Sequence, residues 1–309
     1  MKILILTDGK AGHENQSKAF ARALGAKFDI LPVRFKSKVS KAISYLFDNL
    51  GICTTTLFNG FGNDLAKCGY KAVIGTGSGT FYAAKTIARK LRVPCGVVLF
   101  PRGYRIRQFD CILAPAFDNP PSEPNVIKIP VNLVAADGKF YETGVQAFFE
   151  KRGISSGHAS EAVAVIVGGP NKCSTMTPEW MRSQLEGIFA VHKSAGREIW
   201  VTTSRRTPPE VEAVVDSFPF DYKLLYSKDH FNPIPAFVSL ASHLYVTAES
   251  TGMLSEACSF GKAEVHVMDN LNPGPHKFRR FAEMCARLGA EKVNLEKSFA
   301  AAKSLLGFA

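Results

Sequence analysis

The chain has 309 residues, 46% of them hydrophobic and 21% charged, enough apolar matter for packed cores and a length natural to two α/β domains of roughly 150 residues each. Its 38 basic against 27 acidic residues leave a net charge of +11, which calls for an anionic partner; no zinc-finger spacing, aromatic RNA-binding signature or long Lys/Arg run speaks for nucleic acid, leaving a phosphorylated small molecule or an anionic membrane surface. No apolar run reaches the ~18 residues of a membrane span, and MKILILTDGK turns polar too soon for a signal peptide, so the expected location is cytoplasmic, with peripheral membrane contact left open.

In chain order, KILILT (2–7) reads as a strand, followed by a helix over 15–24, a strand FDILPV (28–33) and a helix over 37–50. KAVIGTG (71–77), a helix over 79–91, and the strands CGVVLF (95–100), CILAPA (111–116) and VIKIPV (126–131) continue the alternation, with NPPSEPN (119–125) as a loop inside it. RGISSGHASE (152–161) is small, polar and the best candidate linker. Beyond it the pattern restarts with AVAVIVGG (162–169), a helix over 178–195, EIWVTTS (198–204) and a helix over 208–216. YKLLY (222–226), a helix over 234–241, HLYVTA (243–248), a helix over 251–260 and AEVHVMD (263–269) follow, and helices over 276–288 and 296–306 end it.

Unbroken apolar strands separated by helices predict parallel sheets covered on both faces. The expected fold class is therefore α/β: two doubly wound, Rossmann-like domains, 1–155 and 156–309, facing a cleft, with the helices of 276–309 free to pack back on the first. Ligands of such sheets sit at the carboxyl ends of the strands, which makes the cleft the expected site.

Five strand-end loops carry unusual residues. TDGKAGHENQ (7–16) offers Asp8, Gly12, His13 and Asn15; GTGSGT (75–80) offers Gly77 and Ser78; VGGPNKCS (167–174) offers Gly168, Gly169 and Lys172. TTSRRTPP (202–209) brings Ser204, Arg205 and Arg206, and TAESTGMLSEACSFG (247–261) brings Glu249, Ser250, Thr251, Gly252 and Glu256. Ser250 to Gly252 fall where a helix starts, and a helix start carries unpaired N–H groups and a partial positive charge of roughly half a unit, a natural seat for phosphate. Each loop also has a plain reading: glycines as turn formers, Ser250 or Thr251 as a cap, Glu256 and the arginines as solvated charges. Together, converging on one sheet edge, they read as a phosphate site with His13 as a base.

GTGSGT lacks the G-x-G-x-x-G register, no P-loop is present, and no D-x-D pair or His/Cys cluster predicts a metal; no cofactor is expected. Seven cysteines at scattered spacings read as free thiols of a reducing compartment. In RFKSKVSKAISYLFDNL (34–50), Val39, Ile43, Leu46 and Leu50 share a helical stripe behind Arg34, Lys36, Lys38 and Lys41. That stripe either packs on the sheet, as in any βαβ unit, or lies on an anionic bilayer.

DGKAGHENQ, VGGPNK, TTSRRTP and TAESTGMLSEACSFGK, in this order over essentially the whole chain, resemble the mitochondrial-fission family named for elongated mitochondria in plants, whose bacterial members form a former domain of unknown function. More distantly, the layout is similar to GT-B glycosyltransferases, notably the lipid-linked N-acetylglucosaminyltransferase of peptidoglycan synthesis. The resemblance matches Gly12-His13 to a first-strand glycine–histidine loop, Gly168-Gly169 to a Gly-Gly loop, and Ser250, Thr251, Gly252 and Glu256 to the turn and helix that bind the nucleotide. It implies a nucleotide-sugar site with diphosphate on the helix start, ribose on Glu256, and Arg205 or Arg206 neutralising the leaving diphosphate. A metal-independent sugar transferase with His13 as base, a non-catalytic nucleotide-binding adaptor at membranes, and an epimerase or hydrolase using Glu14, Asp8 or Glu249 as acid all remain open at this level.

Overall fold

The computed structural model describes residues 1–60, 65–134, 138–153 and 161–308; most of the expected linker, residues 154–160, lies outside them. The first half contains β1 (Lys2–Thr7), α1 (Ala11–Ala23), β2 (Lys27–Pro32), α2 (Lys38–Asn49), β3 (Val73–Thr76), α3 (Phe81–Leu91), β4 (Cys95–Val98), β5 (Cys111–Pro115), β6 (Val126–Ile129) and α4 (Gly138–Arg152). The second contains β7 (Val163–Ile166), α5 (Pro178–His192), β8 (Ile199–Thr202), α6 (Pro209–Ser217), β9 (Tyr222–Leu224), α7 (Ile234–Leu240), β10 (His243–Thr247), α8 (Thr251–Ser259), β11 (Glu264–Met268), α9 (Lys277–Leu288) and α10 (Glu296–Leu305).

The strands form two wholly parallel sheets, ordered β2-β1-β3-β4-β5-β6 and β11-β10-β7-β8-β9. The central strands β3, β4, β5, β7 and β8 are buried throughout, as strands covered on both faces must be, and this is why their sequences read as unbroken apolar runs. In the first sheet one core gathers around Leu4, Val73, Tyr82 and Val97, and the other, on the opposite face, around Ile5, Phe20, Ile74 and Leu306. Alternate residues of β1 and β3 thus feed different cores, the period of two expected of a pleated strand.

Two compact units result: Met1–Ala135 with Asn294–Ala309, and Ala136–Val293. The expected boundary lay at residue 155, but no helix was read over 138–152, where α4 stands and packs within the second unit. Gly138 and Gly144 weaken the helical pattern there, yet Gly144 serves packing: a Cβ on it would lie 2.5 Å from Pro235 of α7. Tyr141, Phe148 and Phe149 are its buried face. Of the two C-terminal helices, α9 stays with the second unit, and only α10 joins the first, where Ala302 and Leu306 complete a core.

The stripe expected on α2 divides. Ile43 packs against the core, while Val39, Leu46 and Leu50 are exposed. The side of α2 turned inward also carries Tyr45 and Phe47, with the buried Ser44 and Asp48 between them.

Candidate functional site

In each sheet the strand order reverses at one place, the topological switch point at which open α/β sheets leave a crevice at the strand carboxyl ends. In the first sheet this lies between β1 and β3; in the second, between β7 and β10. The residues flagged in the sequence flank these two switch points: Asp8 follows β1 and Gly77-Ser78 follow β3, Gly168-Gly169 follow β7 and Glu249-Ser250 follow β10.

At the first, His13 Nδ1 lies 3.0 and 3.1 Å from the two carboxylate oxygens of Asp8. With Nδ1–H donating to Asp8, Nε2 keeps its lone pair and has no protein partner among the described residues. This is the arrangement in which a carboxylate sets the tautomer and orientation of a histidine base. The glycines of the second loop make room for it. A Cβ on Gly77, whose φ is +82°, would sit 2.3 Å from the His13 ring, and one on Gly79 would sit 2.7 Å from Asp8. Gly77 thus faces the histidine, and Ser78 accepts a hydrogen bond from Lys41 Nζ at 2.9 Å. Helix α1 starts earlier than the periodicity predicts, at Ala11, so Gly12, His13 and Asn15 lie in its first turns rather than in a loop; Gly12 and Asn15 are exposed, and a Cβ on Gly12 would meet nothing. Glu14 pairs with Lys18 at 2.7 Å, and that contact holds its carboxyl below the usual range.

The second switch point is built around a buried carboxylate. Glu249 Oε1 accepts from the Gly169 N–H at 2.8 Å and from Thr247 Oγ1 at 3.1 Å, while Oε2 accepts from Asn270 Nδ2 at 2.8 Å. The Gly168 N–H donates to Thr247 Oγ1 at 2.9 Å. Both glycines are required by close approach: a Cβ on Gly168 would fall 1.9 Å from Glu249 Oε1, and one on Gly169 2.1 Å from the Arg206 carbonyl oxygen. Arg206 clamps the same loop, donating through Nη1 to the Gly169 carbonyl at 2.9 Å, and Thr207 Oγ1 donates to the Gly168 carbonyl at 2.5 Å. These bonds join four strand-end loops, those after β7, β8, β10 and β11, into one platform.

On that platform α8 begins at Thr251, with Ser250 as its N-cap; the Ser250 side chain caps nothing. The backbone N–H groups of Gly252 and Met253 have no protein acceptor among the described residues, Gly252 is exposed, and a Cβ on it would meet nothing, so the helix start is open. Beside it lies a cavity of about 340 Å³ lined by Ser204, Arg205, Arg206, Tyr226, Phe231 and Met253, among others. Tyr226 also stacks on His230, ring centroids 4.5 Å apart. Ser204 and the two arginines are therefore brought together with the first turn of α8. The aromatic wall from 226 to 231 was missed, because only the β9 carboxyl end, not any local pattern, brings it there.

Lys172 is exposed and outside this cavity. Glu256 lies inside α8, past its first turn, and its Oε1 accepts from Tyr141 Oη at 3.1 Å. Burial pushes the Glu256 carboxyl up, and burial, then the adjacent Glu256, pushes the Tyr141 hydroxyl up. The partner of Glu256 comes from the helix that the sequence reading left out.

The expectation that no histidine cluster exists is corrected. His243, Glu264 and His266 meet near the amino ends of β10 and β11, with ligating atoms within 4.8 Å of one another; strand pairing unites positions far apart in sequence. His243 Nδ1 is 3.0 Å from His266 Nε2, and Arg197 Nη1 donates to His243 Nε2 at 2.8 Å. That donation leaves the His243 proton on Nδ1, the atom a cation would need, and sets a guanidinium against the ring, so the group is a hydrogen-bonded imidazole chain. His192 joins it through Arg197 at 3.2 Å, and burial, helped by His243 and Arg197, pulls His192 down to about 4.

All seven cysteines are free thiols. Among the described residues no helix is long and apolar enough to cross a membrane.

Over 150 residues, 46% of this chain and 42% of the relative, the chain is 24% identical to the uncharacterized protein RP120 of Rickettsia prowazekii (strain Madrid E), so the match spans less than half of that curated relative. Among solved structures it is similar to the UDP-GlcNAc 2-epimerase of Methanocaldococcus jannaschii, with a TM-score of 0.57 and 14% identity over 100% of both chains. It is also similar to the UDP-GlcNAc 2-epimerase of Neisseria meningitidis bound to UDP-GlcNAc, with a TM-score of 0.51 and 14% identity over 99% of both. At such identities the likeness speaks to the fold, two parallel-sheet α/β domains of the GT-B type. A profile described as Mitochondrial fission ELM1 matches residues 11–299, so the chain belongs to that family.

Proposed function

We propose that the second unit binds a nucleoside-diphosphate sugar and that the protein is a metal-independent glycosyltransferase in which His13 deprotonates the acceptor. The observation that carries this reading is the cavity of about 340 Å³ in which Arg205 and Arg206 meet Met253 of the first turn of α8. Two guanidinium groups and free helix N–H groups suit a diphosphate, and the flat faces of Tyr226 and Phe231 suit a base. The GT-B scaffold and the UDP-GlcNAc bound in the similar Neisseria meningitidis structure make uridine nucleotides the first to test.

In the reaction the acceptor hydroxyl gives its proton to His13 Nε2 and its oxygen forms a bond to the anomeric carbon. The bond from that carbon to the diphosphate oxygen breaks, and the diphosphate leaves with the electron pair. Asp8 stabilises the imidazolium that results. Arg205, Arg206 and the α8 N–H groups take up the charge on the leaving diphosphate. Glu256 would meet a ribose through Oε2, since Oε1 is held by Tyr141.

Calorimetric titration with UDP, GDP, CMP and their sugars tests the donor site, with Arg205→Ala as the control, because that side chain lines the cavity and makes no hydrogen bond or ion pair among the described residues. Binding of one nucleotide that the variant weakens supports the reading; no binding to any removes it. Turnover of the bound sugar without any acceptor would favour an epimerase or hydrolase on the same donor site.

A further inference from the structure

Helix α2 carries apolar side chains on both of its sides. It is capped by Ser37, whose Oγ accepts from the Ser40 N–H at 3.0 Å, and its inward side sets the buried Ser44 and Asp48 among Ile43, Tyr45 and Phe47, which pack against the core. Asp48 forms a buried ion pair with Lys85 of α3 and accepts from the Arg105 N–H at 2.6 Å. Ser44 Oγ lies 2.9 Å from Tyr104 Oη, and Tyr45 stacks on Tyr104 with centroids 4.4 Å apart. Rotating the helix to bury its outward side would strip a buried charge of its partner, so the orientation is fixed.

The outward side is apolar. Val39 is 66% exposed, Leu46 58%, Leu50 64%, and Ile52, just past the helix, 42%. With exposed Ala42 between them, positions 39, 42, 46 and 50 fall on one stripe along the helix. Single exposed aliphatics are ordinary, but four on one short element are not.

Cations bracket this stripe. Arg34, Lys36 and Lys38 are exposed at its amino end. At its carboxyl end Arg89 Nη1 donates to the Gly51 carbonyl and Arg105 Nη1 to the Asn49 carbonyl, at 3.4 and 3.5 Å. The only acidic residue between 34 and 52 is Asp48, which is buried and paired. An apolar stripe with positive ends and no exposed carboxylate fits the boundary between acyl chains and anionic headgroups.

We propose that α2 and the turn after it dock this protein on an anionic lipid bilayer, with Val39, Leu46, Leu50 and Ile52 entering the acyl boundary and the flanking lysines and arginines meeting headgroup phosphates. The proposal does not rest on the donor site.

The test is co-sedimentation of the whole protein with vesicles of phosphatidylglycerol in phosphatidylcholine and with vesicles of phosphatidylcholine alone. Binding is expected to the first, weakening with added salt, and to fall at least tenfold in Leu46→Glu/Leu50→Glu and several-fold in Lys36→Glu/Lys38→Glu. Circular dichroism melts of both variants check that they are folded, and their exposed positions predict unchanged transitions. Equal binding to both kinds of vesicle, or binding that survives Leu46→Glu/Leu50→Glu, overturns the proposal. So does concentration-dependent dimerisation that the same variant abolishes in a protein that ignores vesicles, which would make the stripe a contact between copies.

Discussion

At the switch point of the first unit the polar group under the strand ends reaches solvent: the Asp8 and His13 side chains are 10% and 22% exposed. At the matching place in the second unit Glu249 is fully shut in, its side chain 0% exposed. Both crevices use glycines for close approach, yet to different ends. Gly77 and Gly79 clear space for a side-chain pair with a spare nitrogen lone pair, whereas Gly168 and Gly169 close on a carboxylate whose two oxygens are already satisfied. The same fold therefore leaves a ring nitrogen without a protein partner in one unit and makes a stiff mount for a helix start in the other.

On the proposed mechanism the largest effect should come from His13. His13→Ala is expected to lower sugar transfer by about a thousandfold while nucleotide binding, measured calorimetrically, stays as in the parent protein. Transfer unchanged in that variant would break the contrast by removing the base from the first unit.

Next is acidity, which should strike the second unit through His192. Burial pulls His192 down to about 4 from an ordinary 6.5, so its folded-state pKa is the lower one. The stability it protects is present above pH 6.5 and is lost as pH falls towards 4, by at most about 3 kcal/mol. His192→Gln should flatten the acid limb of a thermal-melt series recorded over that window; an unaltered limb would move the acid sensitivity elsewhere.

The glycines sharpen the comparison further. Gly168→Ala should cost about 2 kcal/mol or more in urea denaturation, because the atoms it meets belong to a buried hydrogen-bonded platform. Gly77→Ala should cost about the same and also displace His13, so that activity falls beyond the loss of stability. Equal activity per folded molecule in Gly77→Ala would show that the histidine tolerates displacement. The smallest effect is expected from Arg205→Ala, a roughly tenfold weaker nucleotide affinity with an unchanged melting temperature, since one charge-assisted contact is lost and nothing in the fold leans on that side chain.

Much of this was legible in the sequence because parallel strands announce themselves. Runs such as VAVI and IWVT are apolar on both faces, and the small polar residues after them fall at the sheet edge by topology alone. What stayed hidden depends on contacts between distant positions. Helix α4 has glycines where a helix should have none, and only Pro235 explains Gly144. Glu249 looked like a ligand group because nothing local reveals that Gly169, Thr247 and Asn270 saturate it. Glu256 could be placed on its helix, but not beside Tyr141. In α2 the stripe itself was readable; its outward direction follows from the Asp48–Lys85 pair, which unites two helices.

The order of segments along the chain has a consequence for how the molecule is made. The first unit comprises Met1–Ala135 and Asn294–Ala309, so all of the second lies between its parts. One face of its sheet, around Ile5, Phe20 and Leu113, is sealed by Ala302 and Leu306 of the last segment. During synthesis at roughly 5–20 residues per second, that face stays uncovered while the whole second unit is being translated. A chain halted before Asn294 would therefore lack the segment that covers this face, although every residue of the second unit had been made.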